Sequence, residues 1–260
     1  MFTIPSVAER RAVEIAREEE LEEARAIQRV MLPANVLTSG AVTVAHKFQP
    51  VDLVGGDFLD YFALANGTVG FYVGDVSGKG LPAAMYAALT VGILRGIHKT
   101  GQPPGQVLTA LNQRLMSRGG LRRHTAIAYG VFDPASMEMR LASAGMPGPL
   151  HFSGKNCTVL ELSGIPPGLF PDAEYETLTV KLEPGDSVLL CSDGIVEAQN
   201  ARYEDFGIDR LIAVCGDCGQ VTSEELLARI FSAVHEFTHV VQQHDDMAAA
   251  ILHLDSSGTL

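Results

Sequence analysis

Several aspartates stand where an apolar run meets glycine or a polar residue: Asp57, Asp75, Asp193 and the adjacent pair Asp245 and Asp246. Asp57 follows Gly55-Gly56. Asp75 opens Val76-Ser77-Gly78-Lys79-Gly80, and Asp193 ends the run Val188 to Ser192. The pair precedes Met247 to Leu254. A single Asp-Gly is an ordinary turn signal. Several carboxylates gathered at one place repel each other unless a cation lies between them. Hard oxygen ligands suit Mg2+ or Mn2+. Gly78 and Gly80 allow backbone to approach a ligand closely. Pro82 then suits the first turn of a helix, whose free N–H groups favour an anion. Carboxylates for a cation beside N–H groups for an anion point to a phosphate handled with divalent ions.

The elements that must position these groups are legible around them. Phe58 to Leu64 and Thr68 to Val73 are apolar runs separated by Asn66-Gly67, which predicts a hairpin with a type I′ turn. Asp57 enters the first strand and Asp75 leaves the second, so both carboxylates lie at one end. The helix at Pro82 is predicted to run to Gly96 or His98. Further strands are expected at Ala41 to Pro50, Thr125 to Phe132, Met137 to Ala144, Pro149 to Phe152, Thr158 to Leu162, Glu176 to Leu182, Ser187 to Cys191 and Met247 to Leu254. Helices are expected after Pro103-Pro104, at Ile208 to Val214, and at Ser223 to Phe237 with Thr222 or Ser223 as its cap. Strands come in runs joined by short links, with helix pairs between them. That is an α+β pattern built on antiparallel sheets.

Residues 6 to 32 lack Gly and interior Pro and predict a long, highly charged helix that Pro33 stops. Val13, Ala16, Ala24, Ile27 and Met31 form an interrupted apolar stripe. Two readings follow: a surface helix packing its last turns on the domain, or a signalling helix that pairs with a second copy as a homodimer. The chain is therefore divided into residues 1–33, the helix, and 34–256, the domain.

A net charge of −12 argues against nucleic acid and anionic membrane as main partners. No apolar run is expected to reach the roughly 18 residues of a membrane span, and the charged N-terminus does not read as a signal peptide. The expected location is cytoplasmic. Cys215 and Cys218 form a lone CxxC without a second ligand pair, so ordinary reduced cysteines are the reading.

Taken together, the motifs Gly55-Gly56-Asp57-Phe58-Leu59-Asp60-Tyr61 and Gly74 to Gly80 with Pro82-Ala83-Ala84 resemble the PPM family of metal-dependent protein serine/threonine phosphatases, in its bacterial SpoIIE/RsbU-like branch. Ile27-Gln28 with Met31-Leu32-Pro33, Ser143-Ala144-Gly145 with Pro149-Leu150, Gly164 to Gly168, Ser192 to Ala198 and Asp245-Asp246-Met247 follow in matching order. The resemblance covers about residues 24–254. It implies a four-layer α-β-β-α sandwich with metals at one end and two Mn2+ or Mg2+ ions per site. It implies Asp75 as the carboxylate bridging them, the Val76 carbonyl as a ligand, and Asp57 serving the metals directly or through water. Asp193 and Asp245 would complete the second site, with a slip to Asp246 left open. Asp75, Asp57 and Asp193 are the implied catalytic residues, and the implied chemistry is attack by a water acidified between two ions. The implied substrate is a phosphorylated STAS-type anti-anti-sigma protein in a partner-switching pathway.

Departures accompany the resemblance. Ser77 stands where the eukaryotic branch has a His, so the proton donor is unassigned. No counterpart of the eukaryotic phosphate-binding Arg is evident. Met146 and Ala248 replace the usual His and Thr and are assigned to packing. Lys79 and Ser77 are candidates to meet the substrate phosphate, with a solvated loop lysine as the alternative. Asp60 alternates onto the face opposite Asp57 and is assigned a structural hydrogen bond. His244 adjoins a proposed ligand and reads first as a surface residue. Two other functions stay open: a phosphatase-like binding module with little turnover, and a metal-dependent hydrolase of small phosphoesters.

Overall fold

The computed structural model describes residues 6–64, 66–98, 102–117, 123–216 and 221–255. Cys218, half of the CxxC pair, lies outside them. In chain order the elements are α1 (Val7–Met31), β1 (Val36–Ser39), β2 (Val42–Gln49), β3 (Phe58–Ala63), β4 (Val69–Val76), α2 (Gly80–Ile97), α3 (Pro104–Met116), β5 (Thr125–Asp133), β6 (Glu138–Ala144), β7 (Leu150–Ser153), β8 (Asn156–Val159), β9 (Leu178–Lys181), β10 (Ser187–Cys191), α4 (Asp193–Val196), α5 (Gly207–Val214), α6 (Ser223–Thr238) and β11 (Met247–Leu254).

Two antiparallel sheets form the centre. One has the strand order β1-β2-β11-β10-β7-β8 and the other β3-β4-β5-β6-β9. Alternate side chains of both sheets meet between them: Val44, Leu190, Ala250 and Leu252 from the first, Leu59, Phe71, Val73 and Leu141 from the second. Met146 and Ala248 are buried in this same layer, as their packing assignment expected. On the outer face of the first sheet, Leu226, Ile230 and Phe231 of α6 and Leu211 of α5 cover Leu189, Cys191 and Ile251. On the outer face of the second, α2 and α3 cover Phe58, Tyr72, Ile127 and Tyr129. The result is the expected four-layer α-β-β-α arrangement.

Local chemistry explains most element ends. α1 starts with a capping box in which Ser6 accepts from the Glu9 N–H and Glu9 reaches back to the Ser6 N–H. Thr222 and Glu225 make the same box at α6. The β3–β4 turn differs from expectation. The Leu64 carbonyl accepts from the Gly67 N–H at 2.9 Å, and the Leu64 N–H donates to Thr68 at 2.8 Å. Gly67 has φ +83°. The link is thus a longer loop closed by one left-handed glycine, not a two-residue type I′ turn, and Asn66 contributes its side-chain oxygen to the Thr68 N–H.

Three further expectations are corrected. β1 is a short edge strand that the polar sequence before Gly40 concealed, and it pairs with β2. The apolar stripe of α1 is displaced: Val13 and Ile27 are exposed, and the inward face is Leu21, Ala24, Gln28 and Met31. Finally, α2 is long and apolar enough to cross a membrane, contrary to the absence expected, but half of it is buried within the protein. Its apolarity is that of a core helix packed on the second sheet beside α3.

The last turns of α1 are tied to the domain. Arg95 of α2 donates to the Met31 carbonyl at 2.6 Å and to the Asp60 carboxylate at 2.7 Å. Asp60, buried, also accepts from the Tyr61 N–H. That is the structural role expected of it.

Candidate active site

Each carboxylate reaches the site by strand register. Phe58 pairs with Gly74, so Asp57, one residue earlier, faces Asp75 across the hairpin. Asp75 lies within β4, and its own carbonyl accepts from the Thr125 hydroxyl at 3.0 Å. In the other sheet Cys191 pairs with Ala249, which brings the start of α4 beside the residues preceding β11. The Ser192 N–H donates to the Ala248 carbonyl, and the Ser192 hydroxyl accepts from the Ala248 N–H. Asp193 and Asp245 therefore arrive from one sheet and Asp57 and Asp75 from the other, all at the same end.

The electrostatics show strong mutual repulsion. Burial, then the charge of Asp75, pushes the Asp57 carboxyl well above the usual carboxylate range, against a lowering hydrogen bond from Ser192. Burial, then Asp193 and Asp245, pushes Asp75 up to about 7. Asp193 is raised by burial and by Asp245, and Glu197 by burial and by Asp193. These groups share one unmet need, which is positive charge.

A divalent cation fits these residues. Asp57 is only 2% exposed, and its Oδ2 has no hydrogen-bond partner. A buried acceptor left so would be costly unless a ligand satisfies it. A Cβ placed on Gly56 would lie 2.9 Å from the Val76 carbonyl oxygen and 3.2 Å from Asp75 Oδ1. Two oxygens thus converge on a space that only glycine leaves open. Among the described residues no three His, Cys, Asp or Glu side chains already converge as a cage. Mg2+ is commonly bound by one or two carboxylates with waters in its remaining positions.

Asp245 and Asp246 have different surroundings. Asp246 is buried, and its oxygens accept from the N–H groups of Val51, Gly56 and Asp57 at 2.8, 2.7 and 3.3 Å. It clamps the loop that delivers Asp57. Asp245 is partly exposed and is the carboxylate whose charge acts on both Asp75 and Asp193. Gly55 and Gly194 are required by this clamp, because a Cβ on either would strike Asp246.

The remaining candidates lie around the rim. Lys79 donates to the His244 carbonyl at 2.9 Å, joining the loop before α2 to the loop before β11. Its ammonium is held by a neutral oxygen, so its charge is not cancelled there. Ser77 is occupied structurally: its hydroxyl accepts from the His124 N–H and its own N–H donates to the His124 carbonyl. Cys191 is buried beneath the site with its thiol pushed up to about 12, first by burial.

Three residues of this region were assigned no role from the sequence, although Gln28 stands in the Ile27-Gln28 motif of the resemblance. The buried Gln28 of α1 donates to the Gly55 carbonyl at 2.8 Å and accepts from the Gly55 N–H at 3.1 Å. Arg123 donates to the Ser77 carbonyl and packs where a Gly78 side chain would be. Gln243 hydrogen-bonds the Asp245 carbonyl.

The comparisons agree with this fold. A family model described as Stage II sporulation protein E (SpoIIE) matches residues 65–255. The chain is 26% identical over 239 residues to phosphoserine phosphatase RsbU of Bacillus subtilis, spanning 90% of this chain and 69% of that protein. Among solved structures it is similar to the SiaA-PP2C domain of Pseudomonas aeruginosa, with TM-score 0.84 and 22% identity over 94% of this chain and 99% of that one. It is also similar to RsbX in complex with magnesium, with TM-score 0.65 and 14% identity over 85% and 98% of the two chains. At such identities the structural matches speak for the fold.

Proposed function

Because the chain belongs to the SpoIIE family of PP2C-type phosphatase domains, we propose that it hydrolyses phosphoserine or phosphothreonine on a protein, using Mg2+ or Mn2+. The observation that carries this reading is the placement of Asp57, Asp75, the Val76 carbonyl, Asp193 and Asp245 at the same end of two sheets, with Asp57 Oδ2 unpartnered. Those five groups would hold two ions. Bound divalent ions supply an acidified water and neutralise phosphoryl oxygens during in-line displacement.

The chain's own residues prepare that chemistry. Asp246 fixes the backbone at Gly56 and Asp57, and Ser192 fixes Asp57 from below. Lys79 would meet the phosphate or the acidic surface around it. The α2 N-terminus, capped by no side chain, offers N–H groups to an anion. Cys191, buried and with its thiol pushed up to about 12, is unsuited to act as a nucleophile.

The proposed substrate is a serine-phosphorylated STAS-domain regulator in a partner-switching pathway, in a cytoplasmic setting. The name of the relative, phosphoserine phosphatase RsbU, supports the phosphoserine, and the resemblance of the motifs supports the STAS-domain regulator. Residues 34–256 would form the catalytic domain and 1–33 the input helix. Exposed Val7, Val13, Ile15, Ile27 and Val30 on α1 support pairing with a second copy. The deciding experiment is hydrolysis of p-nitrophenyl phosphate with EDTA, Mg2+ or Mn2+, for the wild type and Asp193→Asn. Turnover that requires metal and Asp193 is expected. Metal-independent turnover, or full activity of the variant, would remove the reading. A serine-phosphorylated STAS protein and a nucleotide panel, run beside it, separate a protein substrate from a small phosphoester.

A further inference from the structure

Asp245 lies in residues 239–246, a connection with no helix or strand between α6 and β11. A ligand on such a loop must be fixed by side chains. Gln243 does this at close range. Its Nε2 donates to the Gln49 carbonyl at 3.0 Å and to the Asp245 carbonyl at 2.7 Å. Its Oε1 accepts from Gln49 Nε2 at 2.7 Å. Gln49 ends β2 and pairs with Met247, the first residue of β11, so the two amides interlock where the loop joins the sheet. On its far side Gln49 Oε1 meets His235 Nε2 of α6 at 3.1 Å.

The peptide between Asp245 and Asp246 is held at both ends. Gln243 takes its carbonyl, and its N–H, that of Asp246, donates to Asp245 Oδ1 at 2.9 Å. The carboxylate of Asp245 is thereby oriented by the same peptide that Gln243 locks. Rotation of this peptide would turn the carboxylate away from Asp75 and Asp193. Neither Gln243 nor Gln49 brings any charge, so their effect on a cation can only be geometric.

We propose that Gln243 is a positioning residue for Asp245, and that through the Gln243–Gln49 amide pair it sets the affinity of the site for a divalent cation. This rests on the reading of Asp245 as a metal ligand. Groups that orient a metal ligand in this way cost about 10–100-fold in metal affinity when removed.

Isothermal titration of the metal-free full chain with Mn2+ tests it directly, without turnover. Gln243→Met keeps length and apolar bulk but loses the donor. Gln243→Glu keeps the length and adds a negative charge, while replacing the donor with an oxygen facing two carbonyls. Gln242→Ala, at the exposed neighbour, is the control. The expected result is a Kd for Mn2+ raised about tenfold or more in both Gln243 variants and unchanged in Gln242→Ala. Tighter binding by Gln243→Glu would mean that charge alone governs the site, and would overturn the proposal. Wild-type affinity in both Gln243 variants would overturn it too. These failures leave the phosphatase reading intact, provided the wild type binds Mn2+. A wild type that binds no Mn2+ would overturn both. Circular dichroism and the metal-free melting temperature of each variant establish that the titrated chain is folded, and Gln49→Leu, which breaks the pair from the other side, should reproduce the loss.

Discussion

The side chain of Gln28 makes two hydrogen bonds to the backbone of Gly55, two residues before Asp57. A residue of the largely exposed α1 therefore helps hold the loop that delivers a proposed metal ligand. Gln28→Leu leaves the buried N–H and carbonyl of Gly55 unpaired, at a cost of about 1–3 kcal/mol each if no water enters. The expected outcome is a lower melting temperature and a higher Mn2+ concentration for half-maximal turnover. A calorimetric scan and a metal titration of p-nitrophenyl phosphate hydrolysis check the two effects separately.

Asp75→Asn should affect activity and stability in opposite directions. It removes one of the carboxylates that would hold the ions, and turnover is expected to fall by about 10³-fold, equivalent to about 4 kcal/mol of transition-state stabilisation. It also removes a charge that burial and its neighbours already disfavour. Without metal, at pH 8, the variant is expected to melt at a higher temperature than the wild type. Steady-state kinetics and metal-free thermal melts on the same preparation test the pair.

The pH dependence of the metal-free protein follows from the same cluster. Asp75 is held at about 7 and Asp57 also well above the ordinary range, both chiefly by burial. In the unfolded chain each carboxyl returns to about 4. Between about pH 4 and pH 7 the folded state binds more protons than the unfolded one, so this contribution to stability falls as pH rises. The Asp75 part is fully present below about pH 4 and lost above about 7, at most about 4 kcal/mol, and Asp57 acts in the same direction. Melting in EDTA should therefore weaken from pH 5 to pH 8, and saturating Mg2+ should reverse most of the loss at the upper end. Asp75→Asn should flatten the slope measured in EDTA.

Two glycines make a controlled comparison. A Cβ on Gly194 would run into the backbone carbonyl of Asp246, whereas one on Gly92, exposed on α2, meets nothing within 4 Å. Gly194→Ala should destabilise by about 1–3 kcal/mol and displace the Asp245-Asp246 pair. Gly92→Ala should stabilise by about 0.5–1 kcal/mol through helix propensity, with turnover unchanged. Chemical denaturation of both variants, with Mn2+ binding measured alongside, decides.

The sequence by itself determined the kind of chemistry and most of the scaffold. Strand alternation and turn residues are local signals, so β4, β5, β10, β11 and the capped helix α6 are legible within a few residues. Carboxylates at strand ends are conspicuous because buried apolar runs otherwise exclude charge, which makes Asp57, Asp75 and Asp193 readable from residue order alone. What stays hidden depends on contacts between distant segments. The β3–β4 turn departs from its local signal because Asn-Gly suits more than one loop length, and hydrogen bonding over the whole hairpin chooses between them. Asp245 and Asp246 are chemically identical in the sequence. Only the fold buries Asp246 among the N–H groups of Val51, Gly56 and Asp57 and leaves Asp245 facing Asp75 and Asp193. Gln28, Gln49 and Gln243 are neutral amides whose contacts are not written in the residue order, and only Gln28 stands in a motif of the resemblance. Their roles arise when residues 27 and 194 positions apart meet, because a hydrogen bond is decided by distance and direction, which only the packed chain sets.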